Sequence, residues 1–502
     1  MIGILLYVVG TAWLLMNAWQ LKKSEKKMAP VVTLYLLIFF LMGEQALFAL
    51  LYHFVHIPIG LISLGISNAL LGGLVYYFKG KLGRQEYEKV LIGDIFSVIF
   101  FTVIAVWFCT YMWGWDLIMS FYSLDGKEVH CMLSETIAKT GNYENPQYFE
   151  ALNSALWMQI FRVFIPGDEG YYKAHMLSQV VIQWLSSFGM YAVAKTYTEN
   201  RKNDYLAGLT TFFYAAGYPL FIAYFGFAYF GTIINMICAI FVIYRLMHQD
   251  AVEKWFSFGY LNLMLYSMFA CYSFFIPFVF PPLFIALWFD EVAKEGKIFS
   301  LKMVRKEFQV FLLPIIVGMI NSFSNLSQLG EEGGITNNGG CYIDLYSNFL
   351  RILPLAAVGM IVLWKKNKHD ILGLELVWSL ACLLGMIYLN HHGKISLYYV
   401  SKIYNILWLL FFVYIFVCLC EFHEKVPAAL GGLAILIIAS FLLSKTQIPM
   451  MVTKDNPEIY APVHADYHGV YPDVYWYNQN VATVIHNSTE EERKVRLKEK
   501  EQ

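Results

Sequence analysis

Two groupings of residues in this 502-residue chain have the types and spacing that chemistry needs. In Ser123-Leu-Asp125-Gly-Lys127-Glu128-Val-His130 an acid precedes a histidine by five positions, and Met132, Leu133 and Ile137 follow at helical spacing. A helix of that pattern lies on a membrane surface with its apolar side down and the acid at its leading end. A carboxylate held there can take a proton from a hydroxyl while a leaving group departs. Asp125 also suits a helix N-cap, with Glu128 completing a capping-box-like start. The two roles are compatible.

The second grouping is Asn390-His391-His392-Gly393-Lys394-Ile-Ser-Leu-Tyr398-Tyr399-Val-Ser-Lys402, which gathers cations and phenols. Fixed cations and donors stabilise the charge of a departing phosphate. Lys394, Lys402, His391, His392 and Tyr398 are therefore phosphate-binding candidates, joined by Arg351, with Arg162 and Lys173 as runners-up. A snorkelling lysine among belt tyrosines is the competing reading of the same loop. Asp168-Glu169 is a second acidic candidate, positioning an acceptor or a metal. It equally suits acids in the first turn of a helix starting near Tyr171, favourable at its positive end. Asp116, in Trp113-Gly-Trp115-Asp116, is the alternative base. His464, Asp466 and His468 alternate as ligands of a divalent metal ion would, although no fourth ligand follows. No phosphate-binding P-loop, serine elbow or HExxH motif is present, so a P-loop pump, a serine hydrolase of that type and a metalloprotease have no support, and a divalent metal ion is the one cofactor candidate.

The elements that must position these groups are membrane helices. The chain is 58% apolar and 15% charged, with a mean hydropathy of +0.52, far on the oily side of soluble domains. Aromatics at 18% suit two interfacial belts. A net charge of -1 argues against nucleic acid as a partner. A spanning helix needs about 20 apolar residues. On that criterion the fold is an all-α polytopic membrane protein with about 14 transmembrane helices. The spans are 2–20, 31–54, 58–78, 91–113, 174–196, 206–223, 226–246, 257–273, 275–290, 309–326, 350–364, 371–390, 403–421 and 427–444. Pro277, Pro281 and Pro282 interrupt the pair over 257–290, which reads as a broken helical hairpin lining a cavity.

Alternate short loops carry twenty-two basic residues and the opposite ones three, Arg351, Lys394 and Lys402. The positive-inside rule then puts the first set in the cytoplasm and the N-terminus outside. Residues 1–90 form N-terminal transmembrane helices, and 91–200 a module with the long outer loop 114–173. Residues 201–444 supply the remaining helices with outer loops 325–349 and 390–402, and 445–502 an extracytoplasmic tail. Glu44, mid-span beside Gln45, is an intramembrane acid and keeps a proton-coupled transporter open as an alternative.

An acid early in the first large outer loop, a His about five on, then an amphipathic stretch ending in Gly-x-Tyr and a Pro are here Asp125, His130, Gly141, Tyr143 and Pro146. In this the chain resembles the GT-C superfamily of integral-membrane glycosyltransferases, which use polyprenyl-phosphate sugars. The resemblance covers residues 91–200 in pattern and the other spans in general layout. It implies a GT-C-like architecture, amphipathic interfacial helices in the outer loop, and Asp125 with His130 as catalytic residues. It also implies inverting transfer of a sugar from a polyprenyl-phosphate donor to an extracytoplasmic glycan, lipid or protein acceptor, at the outer face of a bacterial plasma membrane. Three spans precede the one leading into the loop, and Asp125 has no acidic neighbour, both departures from the commonest form. A flippase of lipid-linked sugars and an envelope polysaccharide polymerase are the rival functions.

Overall fold

The structure, a computed structural model, describes residues 2–18, 28–79, 92–113, 131–143, 149–166, 170–197, 204–216, 228–326, 341–343, 345–366, 370–425 and 450–452. The helices are α1 (Ile2–Ala18), α2 (Pro30–Phe54), α3 (Leu61–Lys79), α4 (Ile92–Trp113), α5 (Leu133–Thr140), α6 (Phe149–Phe161), α7 (Gly170–Thr196) and α8 (Asp204–Ala216). They continue with α9 (Ala228–His248), α10 (Lys254–Tyr272), α11 (Ile276–Glu295), α12 (Leu301–Leu326), α13 (Leu345–Lys366), α14 (Ile371–His391), α15 (Leu397–Lys402) and α16 (Tyr404–Lys425). Strands β1 (Cys341–Ile343) and β2 (Met450–Val452) pair antiparallel, Cys341 opposite Val452.

Among the described residues five stretches are long and apolar enough to cross a membrane: Pro30–Phe54, Gly231–His248, Lys254–Glu295, Ile371–His391 and Tyr404–His423. Ile2–Ala18, Leu61–Tyr77 and Asp94–Val103 are shorter apolar helices. The expected span at 427–444 lies outside the described residues. The distribution of apolar surface is that of a membrane protein. Leu5, Val8 and Val9 of α1, Leu70 of α3, Phe96 and Ile99 of α4, and Val377 and Leu384 of α14 are all exposed. Patches of that extent would aggregate in water, and a bilayer covers them. This is an α-helical, multi-pass integral membrane protein.

Two helices form the centre. Every residue from Thr232 to Tyr244 of α9 is buried, and so is every residue of α16 from Tyr404 to Leu419. A helix apolar on all sides is one surrounded by others. At the rim, α1 and α3 meet through glycine: a Cβ at Gly10 would lie 2.1 Å from the Gly65 carbonyl oxygen. Without a hydrophobic drive between helices in lipid, such close backbone approach supplies the association.

The expected break in 257–290 is present. Tyr272 is extended (φ -160°, ψ 98°) between α10 and a short 3-10 turn at Ser273–Phe275. The chain doubles back there, because α10 starts just after His248 and Asp290 of α11 returns to that histidine, Oδ2 to Nε2 at 2.8 Å. Trp378 Nε1 donates to the Pro277 carbonyl oxygen at 2.9 Å, tying the hairpin tip to α14.

The basic helix ends share one side of the bundle. There Lys195 pairs with Asp94 (3.4 Å), Arg245 with Asp370 (3.3 Å), Lys306 with Glu291 (3.1 Å) and Lys366 with Glu421 (3.1 Å). Tyr197 Oη donates to Asp370 at 2.6 Å, and Gln249 Nε2 to the Thr196 carbonyl oxygen at 2.9 Å. Among the described residues, the basic ends of α7, α9 and α13 thus carry their ion pairs on one side of the bundle.

Candidate functional site

The end opposite the basic one gathers segments far apart in sequence. Helices α5 and α6, from the long loop, pack on each other and on α7. Their apolar positions are what hold them: Cys131, Ile137, Ala151, Leu152 and Ala155 are buried. The pair is stapled to the start of α3. Ile59 N donates to the Gly141 carbonyl oxygen at 2.7 Å, and Leu61 N to Gln159 Oε1 at 3.1 Å. Gln159 Nε2 in turn donates to the Ala138 carbonyl oxygen at 3.0 Å. Gly141 closes α5 with φ +69°, and a Cβ there would come within 2.8 Å of Pro58 and 2.9 Å of the Ile59 carbonyl oxygen. Only glycine suits both demands.

Tyr143, two residues on, is buried beside Tyr266 and Cys271 of α10. Burial pushes its phenol well above the ordinary tyrosine range, so it stays a neutral donor. Its hydroxyl has no hydrogen-bond partner among the described residues. Beside α5, Tyr171 has Lys139 over its ring at 4.8 Å and Arg162 at 5.0 Å.

Lys402 meets the same part of α10. It ends the short helix α15, where a cation is favourable at the negative end, and is buried at 3% exposure. Its ammonium donates to the Tyr272 hydroxyl and lies over the rings of Tyr399 (4.3 Å), Tyr272 (4.8 Å) and Phe274 (5.5 Å). Aromatic faces stabilise a cation they enclose. Strand β1 packs against α15, so Cys341–Ile343 and its partner strand Met450–Val452 lie at this end as well.

The remaining basic-loop candidates stand apart from that cage. His391, His392 and Lys394 are exposed around a turn closed by Gly393 (φ +68°), with the His392 ring tilted against Tyr388, centroids 4.2 Å apart. Arg351 lies on α13 and Tyr398 on α15, their side chains outside the described residues. Asp116, Asp125, His130, Asp168 and Glu169 lie outside them too, as do His464, Asp466 and His468. Among the described residues no group of three or more His, Cys, Asp or Glu is placed to hold a metal ion.

A second polar cluster is buried between α1, α2 and α3. Gln45 Nε2 donates to Tyr7 Oη at 2.5 Å. The Asn68 amide satisfies its neighbours when its nitrogen donates to Glu44 Oε1 at 2.8 Å and its oxygen accepts from Thr11 Oγ1 at 2.9 Å. Glu375 of α14 is likewise buried, accepting from Ser379 Oγ at 3.2 Å.

Sequence reasoning missed Tyr272 and Phe274, the walls of the lysine cage. Their signal was the aromatic run Tyr272-Ser-Phe274-Phe275 at the tip of a proline-marked hairpin. Comparison with protein-family models, with curated proteins and with solved structures returned no match.

Proposed function

We propose that the protein is a membrane glycosyltransferase acting at the extracytoplasmic face. It transfers a sugar from a polyprenyl-phosphate donor to a glycan, lipid or protein acceptor of a bacterial envelope, through about fourteen membrane passes. Asp125, with His130 beside it, takes the acceptor proton as the sugar–phosphate bond breaks by inverting displacement. The departing phosphate is stabilised by Lys402, while Lys394, His391 and His392, exposed on the turn that precedes α15, attract the anionic donor. A divalent ion is not required by this scheme.

The observation that carries the reading is convergence on the end of α10. Tyr143, from the loop that holds Asp125, lies beside Tyr266 and Cys271, and Lys402 is seated on Tyr272. Asp125 precedes Cys131, the start of the packed part of that loop, by six positions. An acid-bearing amphipathic loop and an enclosed cation at one end of the bundle suit loss of a lipid-linked phosphate.

The test is transfer by the purified protein in proteoliposomes supplied with a panel of polyprenyl-phosphate sugars. Asp125→Asn abolishes transfer while leaving insertion and thermal stability unchanged. Full activity in that variant removes the assignment of the base. One residue added per acceptor marks a transferase, and repeat units joined in blocks a polymerase.

A transporter or flippase is the second reading, favoured by Glu44 and Glu375, which have no ion-pair partner among the described residues. Flux that is lost in Glu44→Gln and kept in Asp125→Asn selects it.

A further inference from the structure

A cleft of about 310 Å³ opens beside exposed Trp364 and Val377 on the flank of the bundle, toward its basic end. It lies between the last turns of α13 and the first turns of α14, and Tyr414 of α16 forms part of its lining. Glycine creates it. A Cβ at Gly359 would lie 1.8 Å from the Tyr414 carbonyl oxygen, so α13 and α16 touch; a Cβ at Gly373 would meet nothing within 4 Å. The space that α14 leaves at Gly373 is walled by Met360, Leu374 and Val377, the last 70% exposed to the surroundings. Its volume is at the lower bound of roughly 300–1,000 Å³ for small-molecule sites.

Two further observations identify an occupant. The hydroxyl of Tyr414 is buried and has no hydrogen-bond partner among the described residues. A buried hydroxyl costs free energy until it finds an acceptor, so the occupant has an acceptor as well as an apolar chain. At the mouth, exposed Trp364 adjoins Lys365 in the basic last turn of α13, where the next residue, Lys366, is paired with Glu421 at 3.1 Å. The carboxylate at this rim, Asp370, is already engaged by Arg245 (3.3 Å), Tyr197 Oη (2.6 Å) and the Leu372 amide (3.0 Å), so it does not oppose an anion. Lysines beside an interfacial tryptophan attract anionic headgroups.

We infer that the cleft is a site for an anionic phospholipid: one acyl chain lies along Gly373, an ester carbonyl accepts from Tyr414, and the phosphate meets Lys365. The site is independent of the function proposed above, since it stands at the opposite end of the bundle from the Lys402 cage.

The test uses the whole protein, delipidated in neutral detergent, with dioleoyl phosphatidylglycerol or dioleoyl phosphatidylcholine added back. Thermal unfolding and native mass spectrometry are read together, because a ligand of the folded state raises Tm by mass action. Phosphatidylglycerol raises Tm more than phosphatidylcholine and survives as a one-lipid adduct. Gly373→Phe fills the cleft and removes both the adduct and the extra shift, without lowering the lipid-free Tm. Tyr414→Phe keeps the lipid-free Tm and weakens the adduct, and Lys365→Gln makes the two lipids equivalent. Equal shifts for both lipids in the parent protein, or an undiminished phosphatidylglycerol shift in Gly373→Phe, overturn the inference. Should Gly373→Phe fail to fold, the Lys365→Gln comparison decides alone, and a retained preference for phosphatidylglycerol there overturns it equally.

Discussion

Lys402 is the residue where stability and chemistry are most closely joined. A lysine with 3% exposure is rare unless its charge is compensated, and here three aromatic faces and the Tyr272 hydroxyl do part of that work. If the cage holds a cation against a developing phosphate charge, its removal acts on the chemical step. Removing one such donor costs about 10²–10³ in kcat in well-studied cases. Lys402→Met is therefore expected to lower the rate of sugar transfer about a hundredfold at saturating donor, with Lys402→Arg recovering part of it, measured by transfer in proteoliposomes. An equal loss of folded protein in both variants would mark the lysine as structural. Gly141 and Tyr143 belong to this scale as well. The glycine was legible in the sequence as part of a Gly-x-Tyr pattern, but its reason, a left-handed turn pressed against Pro58 and Ile59, required the neighbouring chain.

At the scale of elements, helix length and apolarity are local properties. Five described stretches long and apolar enough to cross a membrane accordingly fall on spans that hydropathy predicts, and the prolines of 277–282 do announce a hairpin. Pairing is different, because it depends on side chains meeting across the lipid-facing surface. The α1–α3 contact rests on Gly10, Gly65 and Gly72, where the two backbones approach within van der Waals distance. Gly65→Leu is expected to push these helices apart: a Cβ there would already lie 2.7 Å from backbone atoms of Leu6 and Tyr7. The expected outcome is a lower Tm in detergent and loss of the Gln45–Tyr7 and Asn68–Thr11 bonds. Trypsin accessibility of the 80–91 loop, compared with the parent, checks it. Gly73, whose Cβ meets nothing within 4 Å, is the control; Gly73→Leu leaves Tm unchanged.

For the whole molecule the decisive feature is the division into two ends. The ion pairs of Asp94, Glu291, Asp370 and Glu421 all lie at the basic end, while the Lys402 cage, α5, α6 and the β1–β2 ribbon lie at the other. With the basic end in the cytoplasm, a single cysteine replacing exposed Lys394 is labelled by a membrane-impermeant maleimide in intact cells. One replacing exposed Lys365 is labelled only after permeabilisation. The opposite pattern would place the candidate site in the cytosol and remove an outward-acting transferase from consideration.

The sequence alone determined that this is a helical membrane protein and where its five long apolar stretches run, and it set the expectation that its basic ends share one side. Each of those follows from composition and charge along a short stretch, since a bilayer demands a long apolar run and sorts lysines to one side. Only the tertiary structure decided that Tyr143 and Lys402, 259 positions apart, both lie against the C-terminal end of α10. It also decided that Lys402 turns inward while Lys394 and the two histidines face outward, and that a cleft is left at Gly373. These outcomes depend on how closely helix backbones approach and on what fills the space between them. That is set by pairs of residues distant in the chain, which no local pattern records.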